Sequence, residues 1–168
     1  MKLRARGRCL IAAIFAGAGV QGACAADEAR TNFFDDPFFQ MSSGLAGCPV
    51  PLGPLYTQAE VRSQMHARLE RGTSCWLEGR CKDSNAYRYD KTIAPLVRKA
   101  LDGVPGQRRG SVWVTVQRRW IYLQGCVPDQ RLRERLEKTA RTVPDVENVV
   151  NDLMIGTRGK PGYPLAAP

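Results

Sequence analysis

The sequence predicts an α+β domain, a small sandwich in which a three-stranded mixed sheet carries two helices on one face, ordered helix, strand, strand, helix, strand. Three observations predict it. Val112-Trp113-Val114-Thr115-Val116 and Ile121-Tyr122-Leu123-Gln124-Gly125 alternate in polarity or size and lie close enough to form a hairpin. Between Asp129 and Arg141, Leu132, Leu136 and Ala140 recur at helical spacing, and Val146 to Ile155 supplies a last apolar strand. An N-terminal arm and helix, tied on by disulfide, precede this unit.

In chain order, residues 1–25 begin with Lys2, Arg4, Arg6 and Arg8, continue through an apolar run from Cys9 to Val20, and end Ala23-Cys24-Ala25. That is the layout of a secretory signal peptide. Its apolar run is too short to span a bilayer, so the mature chain is expected to start near Ala26, in the periplasm. A competing reading is a lipoprotein acylated on Cys24. Gly22 and Ala23 suit that reading, whereas Gln21 stands where an aliphatic residue is expected. No later segment is apolar enough to cross a membrane.

Residues 26–86 read as a proline-rich arm, a helix and a cysteine-containing loop. The arm holds Phe33, Phe34, Phe38 and Phe39 around Asp35-Asp36-Pro37, then Cys48-Pro49-Val50-Pro51-Leu52-Gly53-Pro54. Its prolines forbid a regular helix, and its aromatics are too many for a solvated linker, so the arm is expected to dock. Thr57 and Glu60 form a capping box that starts a helix, with Tyr56 and Val61 as its staple. Val61, Met65 and Leu69 are its expected apolar stripe, and Gly72 its stop. Gly72 to Arg88 reads as a loop in which a Cys75 to Cys81 bridge would fix the presentation of Trp76.

Residues 87–157 hold the predicted domain. Asp90 reads as the cap of its first helix, followed by Ile93, Leu96, Val97, Ala100 and Leu101 at helical spacing and Gly103 as the stop. In the hairpin, Val112, Val114 and Val116 share a face with Ile121, Leu123, Gly125 and Val127, opposite Leu132, Leu136, Ala140 and Val143 of the second helix. Arg118-Arg119 is poor chemistry for a two-residue primed turn, so a loose tip is expected. Glu134 with Lys138 and Glu137 with Arg141 stand at i,i+4 on a solvated helix face. Residues 158–168, rich in Gly and Pro, read as a flexible tail or equally as a docking peptide, and nothing in their sequence decides between the two.

Two stretches carry a family resemblance. Ile121-Tyr122-Leu123-Gln124-Gly125-Cys126-Val127 fits apolar-x-Leu-x-Gly-x-Val. Val143-Pro144-Asp145-Val146-Glu147-Asn148-Val149-Val150-Asn151-Asp152-Leu153-Met154-Ile155 fits Val-Pro-Gly-Val-x-x-Val-x-Asn-x-Leu-x-Val. The segment resembles a BON domain, with Asp145 in place of the usual Gly, and Asp tolerates the same turn geometries. The resemblance implies a non-enzymatic envelope module that binds phospholipid or a partner protein. It carries over no catalytic residue. Better supported membrane-binding members often carry paired copies, and this chain has room for one.

The face away from the helices holds Trp113, Trp120, Tyr122 and Cys126. Either it is an exposed binding surface or the arm covers it; covering is the reading taken here. After export four cysteines remain, Cys48, Cys75, Cys81 and Cys126, and an even count points to two disulfides. Cys48 to Cys126 with Cys75 to Cys81 is the favoured one of three connectivities, all of which the sequence permits. Zinc reads poorly, since His66 is the only histidine and the Cys75 to Cys81 spacing is wide.

A net charge of +9, or +5 once Lys2, Arg4, Arg6 and Arg8 are removed, is spread without a long basic block. In an exported protein it suits anionic lipid headgroups or cell-wall polymers rather than nucleic acid. No catalytic constellation, metal set or cofactor motif stands out, and the protein is read as a non-enzyme. The expected binding surface comprises Arg118, Arg119, Trp120, Tyr122, Trp113, Arg131 and Arg135. Its expected partner is an anionic phospholipid surface or, alternatively, an envelope protein. An exposed sheet edge leaves dimerisation open.

Overall fold

The two alternating runs form an antiparallel hairpin, β2 (Ser111–Gln117) against β3 (Trp120–Val127), and β4 (Asn148–Ile155) joins β3 in parallel. The computed structural model describes residues 28–167, so the expected signal peptide and Cys24 lie outside the described residues. Helices α3 (Asp90–Asp102) and α4 (Gln130–Arg141) lie over one face, where Ile93, Val97, Leu101, Leu132, Leu136 and Ala140 meet the apolar residues of β2, β3 and β4. The face assignment from alternation holds: Val114, Val116, Ile121 and Leu123 are fully buried. Asp129 caps α4 by accepting from the Leu132 amide at 2.8 Å. Glu137 pairs with Arg141, while Glu134 accepts from Gln130 rather than meeting Lys138.

The sheet has four strands, one more than expected. The arm contributes β1 (Phe38–Ser43), antiparallel to β2, with an irregularity between Gln40 and Ser42. An unpaired β2 edge would leave a row of amides and carbonyls open, and the short stretch between Pro37 and Gly44 is free of proline and can pair with it. Phe39 and Met41 then reach the core from the edge, and the Arg98 guanidinium stacks 4.0 Å over the Phe39 ring.

The arm continues across the second face. Disulfides join Cys48 to Cys126 and Cys75 to Cys81. Trp113 is 9% exposed and Cys126 fully buried. Of the two readings of the tail, docking is the one seen: it packs against the arm, where Leu52 and Ala166 donate to Pro164 and Val50 carbonyls at 2.8 and 3.0 Å. Buried Tyr163 donates its hydroxyl to the Pro49 carbonyl at 3.0 Å. Two proline-bearing strands, each short of amides, suit one another because few ladder bonds are needed.

Helix α1 (Gln58–Glu70) has the predicted capping box, with Thr57 and Glu60 exchanging bonds. Its predicted stripe does not form. Val61 is buried, but Met65 is 48% and Leu69 72% exposed. The buried turn is held by Arg68, which pairs with buried Asp36 and lies between the rings of Phe34 and Tyr87 at 3.9 and 3.7 Å. An ion pair sandwiched by aromatics, rather than an apolar seam, therefore anchors α1. The expected loop after Gly72 includes a short helix, α2 (Thr73–Leu77), and a 3-10 turn over Ala86–Tyr89.

Candidate functional site

The hairpin tip is tight, against the expectation of a loose one. Arg118 and Arg119 both take positive φ, 51° and 66°, which a two-residue primed turn requires and arginine seldom adopts. Asp90 compensates. It is the first helical residue of α3, with Tyr89 at the cap position, and its buried carboxylate accepts from the Arg118 and Arg119 amides at 2.7 and 2.8 Å. Burial outweighs those two bonds and pushes the Asp90 carboxyl up to about 6.

The two arginine side chains part at this turn. Arg118 lies 4.1 Å over the Trp120 ring and donates to the Tyr122 hydroxyl at 3.3 Å. Trp120 and Tyr122 stand with centroids 6.5 Å apart, and Arg71, at the end of α1, approaches the Trp120 ring at 6.0 Å. Arg119 turns inward. It donates to the Asp145 carbonyl and Glu147 carboxylate at 2.8 and 2.9 Å, stacks on Tyr89, and sits 3.3 Å from the Cys81 sulfur. That contact holds the Cys75–Cys81 turn against the tip, where Trp76 is 47% and Leu77 72% exposed.

One end of the molecule therefore gathers Arg71, Arg118, Trp120 and Tyr122, with the Cys75–Cys81 turn that carries Trp76 and Leu77 packed against the tip through Arg119. Arg71 and Arg118 have no carboxylate partner among the described residues, whereas neighbouring Arg80 and Arg88 are paired with Glu78 and Asp83. Cations without a carboxylate partner, beside half-buried aromatic rings and close to the exposed Trp76 and Leu77, are fit to meet an anionic surface.

The seven residues expected to form a surface are thus divided. Arg118, Trp120 and Tyr122 come together. Trp113 is covered by the arm, and Arg119 is locked in the fold by its partners. Arg131 and Arg135 are exposed on α4, on the opposite side of the sheet, where Arg135 donates to the Pro105 carbonyl at 3.1 Å. Trp76, Leu77 and Arg71 stood outside the expected surface, although the Cys75 to Cys81 bridge was expected to fix the presentation of Trp76. The short disulfide turn around Trp76 was the available signal for Leu77; nothing in the sequence places Arg71 over Trp120. Among the described residues, no group of three or more His, Cys, Asp or Glu side chains is set to hold a metal.

Comparison with known families finds that residues 89–157 match the BON domain. No curated protein and no solved structure matches the chain.

Proposed function

With residues 89–157 a BON domain, we propose that the protein is an envelope binding module that docks on anionic phospholipid through its hairpin-tip end. The family is generally non-enzymatic and suggests an envelope-associated binding role. The observation that carries the reading is the exposure of Trp76 and Leu77 beside the unpaired Arg71 and Arg118. Indole rings favour the headgroup level of a bilayer, and each basic residue near an anionic surface adds about 1 kcal/mol. No helix among the described residues is long and apolar enough to cross a membrane, so contact would be at the surface. The two disulfides suit an oxidising compartment such as the periplasm.

Co-flotation of the oxidised protein with phosphatidylglycerol or phosphatidylcholine vesicles, at low and moderate salt, tests this. Binding should be confined to the anionic vesicles, weaken with salt, and be lost in Arg71→Glu/Arg118→Glu and in Trp76→Ala/Leu77→Ala. No flotation under any condition would remove the lipid reading. A protein partner is the second reading. It is favoured by an apolar groove of about 240 Å³ lined by Phe34, Met65, Leu69 and Tyr87 beside the same end. It calls for salt-insensitive binding to one protein and none to vesicles.

A further inference from the structure

Where the arm and tail cross the second face of the sheet they leave a half-open cavity of about 190 Å³, floored by Thr115, Gln117, Tyr122 and Gln124 and walled by Pro54 and Tyr56. Its chemistry is uniform: every polar side chain lining it is a hydroxyl or a primary amide, and none is charged. The nearest buried ion pair, Asp36 with Arg68, lies behind Gln117 and neutralises itself. Burial also pushes the Tyr56 phenol above its ordinary value, keeping that wall uncharged.

Several of these groups have hydrogen-bonding capacity left over. Among the described residues, Gln124 Oε1 is buried with no partner, and Thr115, 6% exposed, makes no side-chain hydrogen bond. Buried polar atoms are nearly always satisfied, so an orphaned carbonyl oxygen on a residue that lines the cavity marks a place where a donor is wanted. The Tyr56 hydroxyl accepts from Gln117 at 2.7 Å and the Tyr122 hydroxyl from Arg118 at 3.3 Å, which leaves each phenol proton free to donate inward. Donors and acceptors thus both border a space equal to about six waters' share of liquid volume, at roughly 30 Å³ each, and below the roughly 300 Å³ of a drug-sized site.

We infer that this cavity is a binding site for one neutral sugar ring. A sugar presents groups that donate and accept at once, which the mixed lining can satisfy, and its apolar ring face can lie on a tyrosine. A charged ligand would lose its hydration without gaining a counter-ion. The site is separate from the proposed lipid contact except that Tyr122 borders both.

The test is a titration of the oxidised protein, followed by amide NMR, with N-acetylglucosamine and glucose as neutral probes. Cationic glucosamine and the neutral peptide acetyl-Gly-Gly-amide are the contrasting arms, and the disaccharide of N-acetylglucosamine separates a free sugar from a chain end. Saturable shifts should centre on Thr115 and the side-chain amides of Gln117 and Gln124, with glucosamine at least several-fold weaker. Thr115→Val and Gln124→Leu, both chosen to keep shape, should each weaken binding about tenfold, as loss of one hydrogen bond predicts. Intermolecular NOEs from the Gln124 amide to the sugar give the same readout on the unmutated protein should a variant fail to fold. No saturable shift with either neutral sugar, equal response in the variants, or stronger response to the peptide would overturn the assignment.

Discussion

Asp90 joins two elements through one carboxylate, and its ionisation should show in the stability of the whole fold. Because burial pushes its pKa from 3.8 to about 6, the folded protein holds that proton more tightly than the unfolded chain. Its contribution is therefore fully present below about pH 4 and lost as pH rises through about 6. Between pH 7 and pH 5 the urea midpoint should rise by an amount worth on the order of 1 kcal/mol, and Asp90→Asn should remove most of that rise. Asp152, raised by burial, acts in the same sense. Glu137 acts oppositely: bonds from Asn151 and Arg141 hold its carboxyl below the ordinary 4.5, so its contribution is lost only as pH falls below that value. Arg118 and Arg119, adjacent and alike in sequence, should separate cleanly. Arg119→Glu removes a largely buried guanidinium from two carboxylates, a carbonyl and a tyrosine ring, and should cost 2 kcal/mol or more, roughly, in denaturant unfolding. Arg118→Glu should stay within about 1 kcal/mol and act on vesicle binding instead.

At the scale of elements, local pattern was legible where each element settles its own conformation. The two strands of the hairpin, α3, α4 and β4 follow alternation or helical spacing because their apolar residues face one core. The capping box of α1 needs only Thr57 and Glu60. Gly125, part of the apolar-x-Leu-x-Gly-x-Val pattern, has a physical reason to be Gly: φ is +117°, and a Cβ there would lie 2.1 Å from the Ser111 carbonyl oxygen. Gly125→Ala should therefore destabilise by several kcal/mol, read as a lowered melting temperature. Asp145 adopts φ +66°, the left-handed turn that Asp tolerates in place of Gly. What stayed hidden depends on distant partners. The tight tip rests on Asp90, 28 residues before Arg118. β1 rests on the open edge of β2, and Arg68 is buried only because Asp36, Phe34 and Tyr87 surround it. The same remoteness left Arg71 out of the expected surface and placed Trp113 and Arg119 in it.

For the whole molecule the two disulfides differ in reach. Cys48–Cys126 spans 78 residues and Cys75–Cys81 only 6. In the chain-entropy account the first is worth about 4.5 kcal/mol and the second about 2. Unfolding of Cys48→Ser/Cys126→Ser and of Cys75→Ser/Cys81→Ser in urea should reproduce that order, and only the first pair should loosen the arm and tail from Trp113.

The nesting of one bridge inside the other also bears on how the chain matures. An oxidant that joined thiols in chain order would give Cys48–Cys75 and then Cys81–Cys126, neither of which is native. Cys48 must wait until most of the chain has followed it, or be reshuffled afterwards. Oxidative refolding of the reduced protein should therefore pass through mispaired species and be accelerated by a disulfide isomerase, whereas a variant lacking Cys75 and Cys81 should close its single bridge directly.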